Sequence, residues 1–112
     1  MTDTTPTVAD NTSLNRYEVA VDGEVAFLTY RRRNDHVILI HTEVPEVFRG
    51  RGYGGILARH ALDEARKNGK QVIVKCPFVT AWLKRHAEYD DIVVARVAED
   101  GAVDRQTPSE PR

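Results

Sequence analysis

A chain of 112 residues, 41% hydrophobic and 29% charged, supports one hydrophobic core, because two would each be too small to offset the entropy of ordering. Its 16 Lys and Arg nearly balance 17 Asp and Glu, for a formal net charge of -1, so overall charge gives no reason for a nucleic-acid or membrane partner. The one cysteine, Cys76, excludes an internal disulfide framework and a cysteine-rich zinc site, and no run nears the roughly 20 apolar residues that span a bilayer.

A polar stretch without an apolar core opens the chain, so no secretion signal is expected and the protein is read as cytoplasmic. Residues 1–15 and 98–112 are polar, hold most of the prolines and lack periodicity, which predicts disordered tails around a folded domain at 16–97. Arg16 to Val21 alternates around Tyr17, Val19 and Val21; Asp22-Gly23 is a hairpin turn signal; Val25 to Tyr30 resumes a strand pattern. Arg31-Arg32-Arg33 beside Asn34-Asp35 reads as a solvated loop, with a local nucleic-acid patch as the competing reading.

Val37 to Val44 is β-branched and almost continuously apolar at its start, which predicts a central strand covered on both faces. Strict alternation puts Val37, Leu39, His41 and Glu43 on one face and Ile38, Ile40, Thr42 and Val44 on the other. From Gly52 to Lys67 the period becomes helical, with Leu57, Ala58, Ala61, Leu62 and Ala65 in one stripe and Asn68-Gly69 as the stop. Gln71 to Cys76 is a second apolar strand, so strand, helix and strand form a βαβ crossover. Pro77 opens a further helix with Phe78, Val79, Trp82 and Leu83 at helical spacing, and Ile92 to Val97 is a last strand.

The turn Arg49-Gly50-Arg51-Gly52-Tyr53-Gly54-Gly55 concentrates glycines between a strand and a helix N-terminus. Backbone N–H groups and roughly half a positive charge collect there, and glycine lets a phosphate approach the main chain. A P-loop needs Gly-Lys-Ser/Thr, but Gly54-Gly55 runs into Ile56-Leu57. A dinucleotide turn is met by Gly50, Gly52 and Gly55, yet about 20 residues on, where a ribose-binding acid belongs, stand Lys75-Cys76. A third pattern, Arg/Gln-x-x-Gly-x-Gly/Ala, is met by Arg49, Gly52 and Gly54.

Val44 through Gly54 resembles the acyl-CoA pyrophosphate loop of the GNAT superfamily of N-acetyltransferases. With His41-Thr42-Glu43-Val44-Pro45 and Cys76-Pro77-Phe78-Val79 through Lys84-Arg85-His86-Ala87-Glu88-Tyr89, the chain is similar to the minimal, single-domain YjdJ-like acetyltransferases. The resemblance implies a small mixed α/β sheet with an N-terminal antiparallel hairpin, one βαβ crossover and two main helices. It implies acetyl-CoA or a related acyl-CoA as the donor, an amine on a small molecule or a protein as acceptor, and no nucleic-acid or membrane partner. Pantetheine would lie beside Glu43 and Val44, and the pyrophosphate on Arg49, Gly50, Arg51, Gly52, Tyr53, Gly54 and Gly55, with Phe78 at the cofactor's border or in the core beside Trp82. Two departures stand out: there is no room for the two helices that usually wall the acceptor pocket, and Ala87 replaces a proline that would sharpen the end of the last helix.

Acyl transfer to an amine needs a neutral nucleophile and a protonated leaving thiol. His41 and Glu43, about 7 Å apart by strand rise, form the candidate proton relay, against a reading of His41 as a hydrogen-bonded core residue. Cys76, at the end of the neighbouring strand, is either an acyl-accepting nucleophile or a buried space-filler. No metal is assigned to His60 or His86. A non-catalytic acyl-CoA-binding or protein-interaction module is the alternative to an enzyme.

Overall fold

The computed structural model describes residues 7–48, 50–97 and 103–105. Seven strands lie side by side in sequence order: β1 (Ala9–Asn11), β2 (Arg16–Val21), β3 (Glu24–Arg32), β4 (His36–Glu43), β5 (Gln71–Val74), β6 (Val93–Val97) and β7 (Val103–Arg105). Neighbours from β1 to β4 run antiparallel, β4, β5 and β6 run parallel, and β7 is antiparallel to β6. The β2–β3 hairpin closes on Asp22 and Gly23, both at positive φ (53° and 82°), the twist that suits a two-residue connection.

Helix α1 (Tyr53–Lys67) carries β4 to β5, and α2 (Pro77–Leu83) carries β5 to β6, so a second parallel crossover follows the predicted one. The predicted apolar stripe of α1 is buried throughout: Leu57, Ala58, Ala61, Leu62 and Ala65 meet Tyr17, Val19, Leu28, Leu39 and Val72 in one core. Burial of each leucine stabilises by about 1.5–3 kcal/mol, and Leu62→Ala would cost roughly 2–5 kcal/mol. The helix ends in a Schellman arrangement: Gly69 at φ +69° donates to Arg66 O, and Lys70 N–H reaches back to Ala65 O at 2.9 Å. Pro77 occupies the first turn of α2. That helix closes at Leu83 with tightened bonds from Lys84, Arg85 and His86, so it stops short of Ala87 without help from a proline.

Four expectations are corrected. The central strand is not covered on both faces: α1 and α2 touch each other and pack on one side of the sheet, and among the described residues no helix covers the other. Strict alternation in β4 fails, because Thr29 pairs with His41 while Tyr30 pairs with Leu39, which leaves Ile40 as an extra residue in a β-bulge. Beyond it, Thr42 pairs with buried Leu28 on the helix side, whereas His41 and Glu43 stand with Thr29 and Phe27 on the uncovered side. Arg32 is not in a solvated loop: it ends β3, donates to Asp10 Oδ2 (2.7 Å) and Tyr17 Oη (3.1 Å), and Tyr30 Oη also donates to Asp10. The sheet also extends past the predicted domain limits, since Ala9–Asn11 and Val103–Arg105 are edge strands; residues 1–6, 98–102 and 106–112 lie outside the described ones.

Candidate functional site

Pairing between β4 and β5 ends at Leu39 with Val74, and one more bond follows, from Lys75 N–H to Leu39 O at 2.8 Å. Past that point β4 continues to Glu43 beside β3 alone, while the other strand turns through Cys76 into α2. The two parallel strands therefore diverge just where the bulge turns β4, and a gap opens beside Thr42 and Val44.

A cavity of about 460 Å³ fills this gap, lined by Thr42, Val44, Phe48, Gly50, Gly52, Tyr53, Gly54, Gly55 and Phe78. Its far wall is the start of α1. Gly52 caps the helix at φ +81°, a conformation that a side chain would strain, and nothing lies within 4 Å of where its Cβ would stand. The first helical bond runs from Ile56 N–H to Gly52 O at 3.0 Å, so the N–H groups of Tyr53, Gly54 and Gly55 have no acceptor within the helix. Such a terminus favours an anion. Gly54 serves a different purpose: a Cβ there would fall 2.5 Å from Phe78 Cζ, and one at Gly55 would fall 2.9 Å from Trp82 Nε1. Those two glycines let α2 lie against the turn.

Seven of the nine residues expected to hold the cofactor line this cavity: Val44, Gly50, Gly52, Tyr53, Gly54, Gly55 and Phe78. Phe78 belongs to the cavity and not to the core, being 42% exposed. Arg51 does not line it, and Arg49 lies outside the described residues. Thr42 and Phe48 were missed; Thr42 reaches the cavity through the bulge, and Phe48 is fixed by a short 3-10 turn (Glu46–Phe48) and an edge contact to Tyr53 at 4.7 Å.

A larger groove of about 740 Å³ adjoins it over the outer side of the helices and shares Gly52, Gly55 and Phe78 with it. Arg59, His60, Arg85 and His86 line this groove with Asp63 as its one acid, and Trp82 stacks on His86 at 3.6 Å. Arg59 lies over Trp82 at 5.3 Å and donates to Tyr89 Oη. Burial and the hydrogen bond that Tyr89 donates to Asp63 push the Tyr89 hydroxyl up to about 12, so it stays a neutral donor. Sequence periodicity marked Trp82 as core, and only the approach of α2 to Gly55 reveals it as a groove wall.

The three candidate catalytic residues do not come together. His41 Nε2 lies 2.8 Å from Glu43 Oε1 on the uncovered face, each side chain 58% exposed. Cys76 is buried on the helix side, 3.2 Å from Thr42 Oγ1, and does not line the cavity. His41 is therefore no core residue. Because an ionised carboxylate only accepts, the imidazole donates through Nε2–H, which leaves Nδ1 to take a proton. Among the described residues no group of three or more His, Cys, Asp or Glu could hold a metal, and no helix is long and apolar enough to cross a membrane.

A family model described as GCN5-related N-acetyl-transferase matches residues 16–92. The solution structure of a GCN5-like N-acetyltransferase candidate from Staphylococcus aureus superimposes with a TM-score of 0.63, over 86% of this chain and 92% of that one, at 23% sequence identity. It shares the fold. No curated protein matches the chain.

Proposed function

Since the chain belongs to the GCN5-related N-acetyltransferase family, we propose that it moves an acetyl group from acetyl-CoA to a primary amine that arrives from the uncovered face of the sheet. The observation that carries this reading is the continuous recess at the diverging strands, which opens at the first-turn N–H groups of α1. Thioester and pantetheine fit the cavity beside Thr42 and Val44, the pyrophosphate fits the N–H groups of Tyr53 to Gly55, and the nucleotide end fits the cationic groove beyond Phe78.

In the reaction proposed, an ammonium ion loses its proton to His41 Nδ1, while Glu43 holds the ring by its other nitrogen and stabilises the imidazolium. The free amine attacks the thioester carbon, the C–N bond forms as the C–S bond breaks, and the thiolate that leaves takes up the proton lost by the newly acylated nitrogen. In this reading a backbone N–H near Glu43 or Val44 stabilises the developing oxyanion. Direct transfer is favoured over an acyl-cysteine, because the Cys76 sulfur is held in a hydrogen bond with Thr42 Oγ1, and Cys76 is a buried residue that is not among those lining the cavity. The buried, unpaired Cys76 suits a reducing, cytoplasmic setting.

Calorimetry with acetyl-CoA, and release of free CoA with n-butylamine, free lysine and poly-L-lysine as acceptors, tests the reading. Saturable binding abolished by Gly52→Val, with multiple turnovers on at least one amine, is the expected result. Binding without turnover on any amine would leave a non-catalytic acyl-CoA-binding module, and absence of both sinks the proposal.

A further inference from the structure

We infer that Phe27 positions the His41–Glu43 pair, as the middle member of a rack of side chains laid across the uncovered sheet face. The inference rests on the proposed role of that pair in proton transfer. Cross-strand register builds the rack from two rows: Glu18, Phe27 and Glu43 pair in one, and Arg16, Thr29 and His41 in the next. Side chains directly or diagonally opposite on one face are close enough to touch. Here the diagonals are filled: the Arg16 guanidinium lies 4.2 Å from the centre of the Phe27 ring, and the Phe27 ring meets the His41 ring edge-on at 6.4 Å and 60°.

Each member is fixed by the one before it. Asn11 Nδ2 on the edge strand donates to Glu18 Oε2 at 3.0 Å, and the same oxygen accepts from Arg16 Nε at 2.5 Å. Hydrogen bonding from Arg16, followed by that from Asn11, holds the Glu18 carboxyl below the usual carboxylate range, so the anion that aims Arg16 persists. Arg16 then stands over the Phe27 ring as a cation over an aromatic face. The need for such a rack follows from exposure: a hydrogen-bonded pair open to water, as His41 and Glu43 are, restrains two side chains weakly. A catalytic group about 1 Å out of place can cost on the order of 100-fold in rate. Thr29 Oγ1 adds a bond to His41 O at 3.3 Å, which ties the backbone of the same residue to β3.

The test uses the full chain and long-range 1H–15N spectra of the His41 imidazole, together with turnover on whichever of the three amines is a substrate. In the intact protein the two ring nitrogens have the well-separated shifts of a single Nε2–H tautomer. In Phe27→Leu the separation collapses toward that of free imidazole, and kcat falls about tenfold with KM for acetyl-CoA unchanged. Phe27→Tyr restores both, and Arg16→Met, which removes the cation over the Phe27 ring, moves the ring resonances in the same direction by a smaller amount. The double variant with His41→Asn is no slower than His41→Asn alone. An unchanged His41 spectrum in both Phe27→Leu and Arg16→Met overturns the inference, as does a double variant slowed by the full Phe27→Leu factor. If His41→Asn leaves turnover intact while Phe27→Leu still collapses the shifts, the proton-transfer reading fails and the structural coupling stands.

Discussion

His41 Nε2 lies 2.8 Å from Glu43 Oε1, while Thr42 between them points through the other side of the sheet to Cys76 Sγ at 3.2 Å. One strand thus presents an imidazole to one face and closes on a thiol at the other. His41 and Cys76 therefore stand on opposite faces of the sheet and do not share one site.

His41→Asn is expected to lower kcat by about 10²- to 10⁴-fold, the usual worth of a positioned general base. Acetyl-CoA affinity should stay the same, because His41 lines neither cavity. Glu43→Gln keeps a hydrogen-bond acceptor but removes the charge opposite the imidazolium, so its loss should be smaller. Steady-state turnover beside calorimetry on the same preparations separates the two effects; equal turnover in all three proteins would remove the pair from the mechanism.

Cys76→Ala should turn over like the parent and be less stable by about 1 kcal/mol, since the residue is 3% exposed and packs in the core. Intact-mass spectrometry after acetyl-CoA addition should find no stable acetyl adduct on the parent. A Cys76-dependent adduct with a matching loss of turnover would instead support an acyl-cysteine.

Gly54→Ala puts a Cβ at a point 2.5 Å from Phe78 Cζ. The obstruction is the far end of a side chain that is 42% exposed, so the ring swings aside and the fold survives at a cost of about 1 kcal/mol. Phe78 then no longer walls the cavity, and acetyl-CoA affinity should fall about tenfold. Gly54→Ala/Phe78→Ala removes the clash and should regain the stability but not the affinity. Urea unfolding and calorimetry read the two quantities independently.

The hairpin, the helix stripe and the parallel crossover were legible because each is set by local pattern: Asp22-Gly23 demands positive φ, and Leu57 to Ala65 repeats with a helical period. The glycine turn was legible for the same reason, although Gly54 and Gly55 turn out to serve helix packing as well as the cavity. The bulge at Ile40 was not, since an apolar run reads identically with or without one extra residue, and which face His41 takes depends on that residue. Coverage of β4 was misread because a parallel strand is usually buried on both sides, whereas here both helices settle on one. Phe27 and Arg16 gave no local signal at all, since their relation to His41 exists only once three strands are in register. The edge strands β1 and β7 are three residues each, too short for any alternation to register.

Asp10 anchors β1 to the sheet by accepting from Arg32 and Tyr30. Burial pushes its carboxyl up, but the hydrogen bonds from Arg32 and Tyr30 outweigh that and hold it below the usual carboxylate range. A carboxyl depressed in the folded state stabilises fully above its unfolded value of about 3.9, and that contribution is lost as pH falls through the folded value. Asp10→Asn should therefore lower the melting temperature at pH 7, with the difference from the parent shrinking below about pH 4. Faster amide exchange confined to Ala9 to Asn11 should accompany it; a melting difference that is the same at pH 7 and pH 3 counts against the ionic anchor.

Deleting Ile40 tests whether the bulge serves the fold or the reaction. With that residue gone, Leu39 still meets Tyr30, His41 meets Thr29 and Thr42 meets Leu28, so every flanking side chain keeps its face. Only a 37% exposed isoleucine is lost, and stability should change by about 1 kcal/mol. The strand, however, loses the local twist by which a bulge re-aims its backbone, just where the parallel strands diverge. The N–H groups beyond it then point away from the thioester oxygen, and removing one such donor costs on the order of 100-fold in kcat. A deletion variant that folds, binds acetyl-CoA and scarcely transfers it is the expected outcome, read by circular dichroism, calorimetry and CoA release. Parent-like turnover in that variant would mean that the bulge aims nothing the reaction uses.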